Sequence, residues 1–198
     1  MNLERGQMIR RSRNERFLGR RMMWSTVVIV GVAMASGAPL DAGKSTLVAQ
    51  FSQLNVPVDA PFTKFGGAIS YDAAAPGRST AHIEVDMRSL DVGDEDYNAE
   101  VRKKEWFDSA HFPKASLDAT GFRPLGGNKF EAAGKLNLKG RVQDLQIPVA
   151  LKTEGGSLVF EGAVPISRSY FGIGDPQWKD TVADQVQVKF HFVVPNNH

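Results

Sequence analysis

Apolar and polar residues alternate along most of the chain after Thr46, which is the period of a strand with one face buried. In "TAHIEVDMR", Ala81, Ile83, Val85 and Met87 fall on one face, and His82, Glu84, Asp86 and Arg88 on the other. "DQVQVKFHF" repeats the pattern, setting Val186, Val188, Phe190 and Phe192 against Gln185, Gln187, Lys189 and His191. Between them lie "KFEAAGKLNL", "LQIPVAL" and "SLVFEGAV", parted by turn residues in "GGN", "KGRVQD" and "EGGS". The pattern predicts eight strands, at about 45–54, 60–72, 79–88, 114–123, 129–139, 142–153, 157–166 and 183–194. One segment breaks it. Asp94 to Glu105, "DEDYNAEVRKKE", predicts a short helix between the third and fourth strands, acidic in its first turn and basic in its last, at Arg102, Lys103 and Lys104. Glu100 and Lys104 are spaced as an i,i+4 pair. Pro113 then turns the chain out of helix and opens the next strand. The basic run therefore reads as a solvated helix end, and Trp106 and Phe107 as an aromatic plug behind it.

Sequential antiparallel strands with one apolar face each have two economical solutions, a sandwich or a closed barrel. Closure removes the sheet edges, and an eight-stranded barrel has room inside for side chains or for one small ligand. The inward positions are mixed: Leu136, Leu138, Ile147, Val149, Leu151, Phe160 and Val164 are large, while Ala119, Ala132, Gly134 and Gly162 are small. Small inward residues mean either a hollow interior or a wall that coils sharply. The sequence leaves both open.

Charge divides the chain. Residues 1–35 hold seven Arg and two Glu, a net of +5, and the remainder carries a net of −3. A nucleic-acid domain would place its positive excess on the folded part. Arg20 and Arg21 precede an apolar stretch from Met22 to Ala35, followed by small residues, which is the order of a secretory signal peptide. Cleavage is expected after Ala35, with Ala33 at −3; the alternative is an uncleaved anchor, for which the stretch is short. The expected organisation is an Arg-rich lead and signal peptide over 1–35, a linker over 36–44 and a barrel domain over 45–198. Cysteine is absent, which removes disulfides, thiolate metal sites and thiol catalysis.

No catalytic constellation emerges. The four His, at 82, 111, 191 and 198, are not in metal-ligand spacing, and no G-x-S-x-G occurs. Glu84 and Asp86 share a strand face, but the polar, outward one.

Several blocks in order resemble the YceI-like polyisoprenoid-binding family: "FTKFGGAISYD", "VDMRSLDVGD", "VRKKEWFDSAHFPKASL", "GKLNLKGRVQDLQIPV" and "ISRSYFGIG". The resemblance runs from about Thr46 to Val194. It implies an all-β fold, an eight-stranded antiparallel lipocalin-like β-barrel with one short helix. It also implies a non-enzymatic protein of the bacterial periplasm that holds a long isoprenoid, either a polyprenyl phosphate or an isoprenoid quinone. A cytochrome b561-type membrane protein is the partner it suggests. The chain departs from the family at Asn98 and Glu100, where Asp and His are frequent, and at Trp106 and Leu117, where Phe is common.

A polyprenyl tail needs an apolar tunnel, since each buried methylene contributes ~0.8 kcal/mol. The expected lining is Phe51, Phe65, Ile83, Val85, Phe107, Phe112, Leu136, Leu138, Val149, Phe160, Val164, Phe171, Trp178, Val188 and Phe190. The stretch Ser167–Ala183 is long for a hairpin and carries candidate head-group residues. Arg168 would meet a phosphate, or Tyr170 a quinone carbonyl; alternatively Arg168 pairs with a carboxylate and Trp178 plugs one barrel end. Two functions follow: a carrier of polyisoprenoids, or a filled barrel acting as a stress-response or accessory partner of an envelope protein. No metal and no cofactor other than the lipid is expected.

Overall fold

The alternating segments form strands in the computed structural model, which describes residues 37–174 and 176–196. The strands are β1 (Ala38–Pro39), β2 (Thr46–Gln53), β3 (Val56–Pro61), β4 (Phe65–Ser70), β5 (Thr80–Asp86), β6 (Lys114–Gly126), β7 (Lys129–Leu138), β8 (Arg141–Glu154), β9 (Ser157–Ser167) and β10 (Gln185–Pro195). They make one ten-stranded sheet in the order β1-β4-β5-β6-β7-β8-β9-β10-β2-β3, with every neighbouring pair antiparallel. The sheet curls into a barrel. Its seam is stitched by residues 40–45: the Leu40 amide donates to Gly67 O, the Asp41 amide to Val193 O, and the Val193 amide to Ser45 Oγ. The expected signal peptide and its cleavage point lie outside the described residues.

Ten strands stand where eight were expected. The predicted strand at 60–72 is two, because Pro61 lacks an amide proton and the chain turns there. The Phe62 amide still donates to Leu47 O beside β2, but the next, that of Thr63, donates to Ser89 O beyond β5. The other addition is β1, which pairs Ala38 with Ile69 and Pro39 with Ala68 inside the stretch expected as a linker. Both outermost strands carry proline, the residue a sheet tolerates at its edges.

The one helix, α1, spans Glu95–Val101 and is shorter than the sequence pattern predicts. Asp94 caps it, its carboxylate accepting from the Asp96 and Tyr97 amides at 2.9 and 3.2 Å. Arg102 is its C-cap, so Lys103 and Lys104 lie beyond its end. The expected Glu100–Lys104 pair is replaced by Glu100–Lys103 at 2.5 Å, because the chain tightens into turns at that point. Those turns send Trp106 and Phe107 toward the barrel interior, and Asp108, at φ 49°, lets the chain reverse toward β6. Asn98, one of the departures from the family pattern, is buried: it accepts from the Val92 amide at 2.8 Å and donates to Asp91 at 3.1 Å, tying α1 to the loop before it.

One end of the barrel is solid. Phe160 meets the edges of Tyr71 and Phe122 at 5.8 and 6.2 Å, Tyr71 meets Phe130 at 6.1 Å, and Ile147 and Val149 fill the remainder. Offset and edge-on rings of this kind hold their geometry as well as their volume. The small inward residues belong here and do not hollow the barrel. A Cβ on Gly162 would strike the Pro148 carbonyl oxygen and approach Phe190 Cζ to 2.5 Å; one on Gly134 would approach Ile147 Cδ1 to 2.5 Å. These glycines let neighbouring side chains close in, which settles their role in favour of the coiled wall.

Candidate functional site

The opposite end is hollow. A cavity of about 170 Å³ lies beneath α1, the segment after it, and the loop between β9 and β10. Alternation supplies its walls: Leu47, Ala49 and Phe51 of β2, Ile83 and Val85 of β5, Ala115 and Leu117 of β6, Leu136 and Leu138 of β7, Val164 and Ile166 of β9, and Val186, Val188, Phe190 and Phe192 of β10. Phe62, Met87, Leu90, Val92, Val101, Trp106, Phe107, Leu145, Ile173 and Val182 complete it, and apart from Trp106 only Ser116 and Arg168 bring polar side chains.

Of the residues expected to line it, Phe51, Ile83, Val85, Phe107, Leu136, Leu138, Val164, Val188 and Phe190 do so. The others lie elsewhere. Phe160 and Val149 belong to the solid end, 2% and 6% exposed. Phe65 packs on Phe192 at 6.0 Å. Phe112 covers the β7–β8 turn, where Gly140 has φ 74° and leaves space for the ring. Phe171 is buried beside Tyr170, and Trp178 lies against Trp106 at 5.7 Å.

The two caps over the cavity are clamped together. The Gly174 amide donates to Glu105 O at 2.8 Å. Lys139, on the β7–β8 turn, donates to Lys104 O and Gly172 O at 2.9 and 2.6 Å, and burial lowers its pKa from the usual lysine value. Arg141 donates to Tyr170 O, and the Tyr170 hydroxyl donates to Val142 O at 2.9 Å on the outside of the barrel. Tyr170 therefore faces away from the cavity.

Arg168 is 6% exposed and holds the β9–β10 loop from within. Its Nε donates to Ala183 O at 3.2 Å, Nη1 to Ile173 O at 2.9 Å, and Nη2 to Trp178 O and Val182 O at 3.3 and 2.8 Å. The expected carboxylate partner is thus replaced by main-chain carbonyls, the acceptors a chain wrapped around a guanidinium presents first. Asp184 closes the base of the loop, accepting from Ser167 Oγ at 2.7 Å and from the Ser169 amide at 2.9 Å. Burial pushes the Asp184 pKa up, but these hydrogen bonds and the Arg168 charge outweigh it and hold the carboxyl below its ordinary value.

A carboxyl held low in the folded state contributes stability above its unfolded pKa and loses it as pH falls through the folded value. Lowering the pH from about 5 to about 2 should therefore open the β9–β10 loop more in the native sequence than in Asp184→Asn. Limited proteolysis within 169–183 across that range checks this; identical curves would remove Asp184 as the loop's acid-sensitive tie.

The described histidines each meet one carboxylate on the barrel's outer surface: His82 with Asp118, His111 with Asp108, and His191 with Glu161. Among the described residues no group of His, Asp and Glu is arranged to hold a metal ion.

Comparison with known proteins gives a consistent picture. A family profile described as a YceI-like domain matches residues 39–194. A curated UPF0312 protein of Azotobacter vinelandii is 27% identical over 118 residues, which are 57% of this chain and 62% of that protein. The chain thus spans about six-tenths of that relative's length. Among solved structures, BcnA of Burkholderia cenocepacia superposes with a TM-score of 0.76 at 38% identity, covering 78% of this chain and 99% of BcnA. A polyisoprenoid binding domain from Saccharophagus degradans, implicated in plant cell wall breakdown, has a TM-score of 0.66 at 17% identity, covering 81% of this chain and 99% of that domain. At that identity the likeness is one of fold.

Proposed function

The chain belongs to the YceI-like domain family, and we propose that it is a lipid-binding protein that takes a polyisoprenoid into the hollow end of its barrel for transport, storage or sequestration. The observation that carries this reading is the cavity itself, whose wall is hydrocarbon or aromatic except near Ser116, Trp106 and Arg168. A void lined this way stays dry and gains by taking an apolar guest. At about 170 Å³ it is close to the ~150 Å³ that accepts benzene, so about one or two isoprene units fit without rearrangement. Further units enter as the half-buried rings of Phe51, Phe107 and Phe190 turn aside. Each methylene sheltered contributes ~0.8 kcal/mol, which is what favours a long chain over a short one.

The periplasm is the proposed compartment, reached through the signal-like segment before Ala35, and a cytochrome b561-type membrane protein is the proposed partner in delivery. Native mass spectrometry of protein purified from its own host without detergent, followed by solvent extraction, tests the central proposal. The expected result is one bound polyprenyl species near stoichiometric amount. Protein that is bare, and stays bare with added polyprenyl phosphates and isoprenoid quinones, would sink it. The solid aromatic end would then favour the second reading, an accessory partner whose cavity is incidental.

A further inference from the structure

Among the described residues one fully buried side-chain donor has no acceptor: the indole Nε1 of Trp106, a residue that lines the cavity and is 9% exposed. Buried donors nearly always have an acceptor, so an orphan on a residue that lines a ligand cavity calls for an explanation. The described residues of the loop beside it do not provide the acceptor. The carbonyls of Ile173, Trp178, Val182 and Ala183 all receive hydrogen bonds from Arg168. The indole's benzo edge is the one turned to this loop, since a Cβ on Gly174 would lie 3.3 Å from Trp106 Cζ3 and 2.5 Å from Arg168 Nη1. Trp178 packs against the ring system at 5.7 Å. The pyrrole edge, with its N–H, is on the other side of the ring.

We propose that Trp106 reads the head of the bound lipid: its N–H donates to a single uncharged oxygen acceptor, a carbonyl or hydroxyl oxygen, and the site thereby selects against phosphate heads. The inference rests on the carrier reading given above and adds to it the residue that sets head-group specificity. The count of donors decides the class. One N–H matches one oxygen, whereas a phosphate brings three strong acceptors and most of two negative charges. It would find one indole donor and a guanidinium already engaged by four carbonyls. Water lost from such a head would not be replaced, and burying it would be strongly unfavourable. Nε1 is shut off from solvent in the structure, so the ligand oxygen reaches it as the covering side chains shift.

Three probes with the same geranyl tail test this on the full chain: a geranyl benzoquinone, geranyl phosphate, and a geranyl hydrocarbon without a polar head. The native protein should bind the quinone about ten-fold more tightly than the hydrocarbon, a factor typical of one buried hydrogen bond, and the phosphate no better than the hydrocarbon. Trp106→Phe should abolish the quinone's advantage over the hydrocarbon, the ratio of the two affinities being the readout because the smaller ring alters the apolar wall that both probes touch. A second readout needs no variant to fold: in ¹⁵N-labelled native protein the Trp106 indole N–H resonance should move downfield with the quinone and stay in place with the hydrocarbon. Tightest binding of the phosphate, or a quinone advantage that survives Trp106→Phe, overturns the specificity assignment while leaving the carrier reading intact. Failure of all three probes to bind overturns both.

Discussion

Replacing Arg168 with Met should lower the stability of the barrel by about 3 kcal/mol or more, a larger loss than any exposed charge on this molecule would produce. Methionine keeps the aliphatic bulk but strips the guanidinium donors from the Ile173, Val182 and Ala183 carbonyls, while Trp178 O keeps the Thr181 and Val182 amides. A hydrogen bond to a charged group is worth about 1.5–3 kcal/mol, and a buried acceptor left without one costs about 1–3 kcal/mol. Three such losses are not additive, because the loop will rise and let water in; the lower estimate already allows for that. For a domain of this size the melting temperature should drop by about 10 °C, and protease should cut within 169–183 faster than it cuts the native protein. Arg168→Lys should recover less than half, since an ammonium cannot reach the Ile173, Val182 and Ala183 carbonyls together. A melting temperature within about 2 °C of the native value would mean that Lys139, Arg141 and Asp184 hold the loop without Arg168.

The same loop marks where sequence stops being informative. Alternation located the strands because a period of two separates inward from outward residues, and it did so correctly at "TAHIEVDMR" and "DQVQVKFHF". It says nothing about depth along the barrel. Phe160, Val149 and Phe190 are all inward, but the stagger of the strands places the first two in the solid end and the third at the cavity. No local pattern encodes that stagger. Pro61 was a visible reason to divide the strand at 60–72, since proline within a run demotes it. Trp106, Ile173 and Val182 had no period to reveal them; they reach the cavity from irregular chain held by tertiary hydrogen bonds. Arg168 was legible as a candidate only through the length of its loop, and its partners, being carbonyls, carry no sequence signal.

The solid and hollow ends also make opposite predictions for one kind of substitution, and the larger effect on function comes from the hollow one. Ala115 on β6, 6% exposed, lines the cavity, and Ala132 on β7, 1% exposed, lies in the packed interior away from it. Ala132→Phe forces a ring into space already filled and should destabilise by about 1–3 kcal/mol. Ala115→Phe places the same ring in a void of about 170 Å³, and should leave stability unchanged or raise it by up to about 1–2 kcal/mol. It should also exclude the ligand. With the space for the first isoprene units taken, affinity for a polyprenyl probe should fall by about 100-fold or more, equivalent to losing about 3 kcal/mol of apolar contact. Urea unfolding of both variants and a lipid-binding titration of Ala115→Phe read the two effects separately. If Ala115→Phe were as destabilising as Ala132→Phe, the cavity end would be packed in solution and the barrel filled throughout. If it were stable and still bound lipid as well as the native chain, the ligand would have to sit somewhere other than the cavity. Only a stable protein that no longer binds fits a barrel hollowed at one end for its ligand.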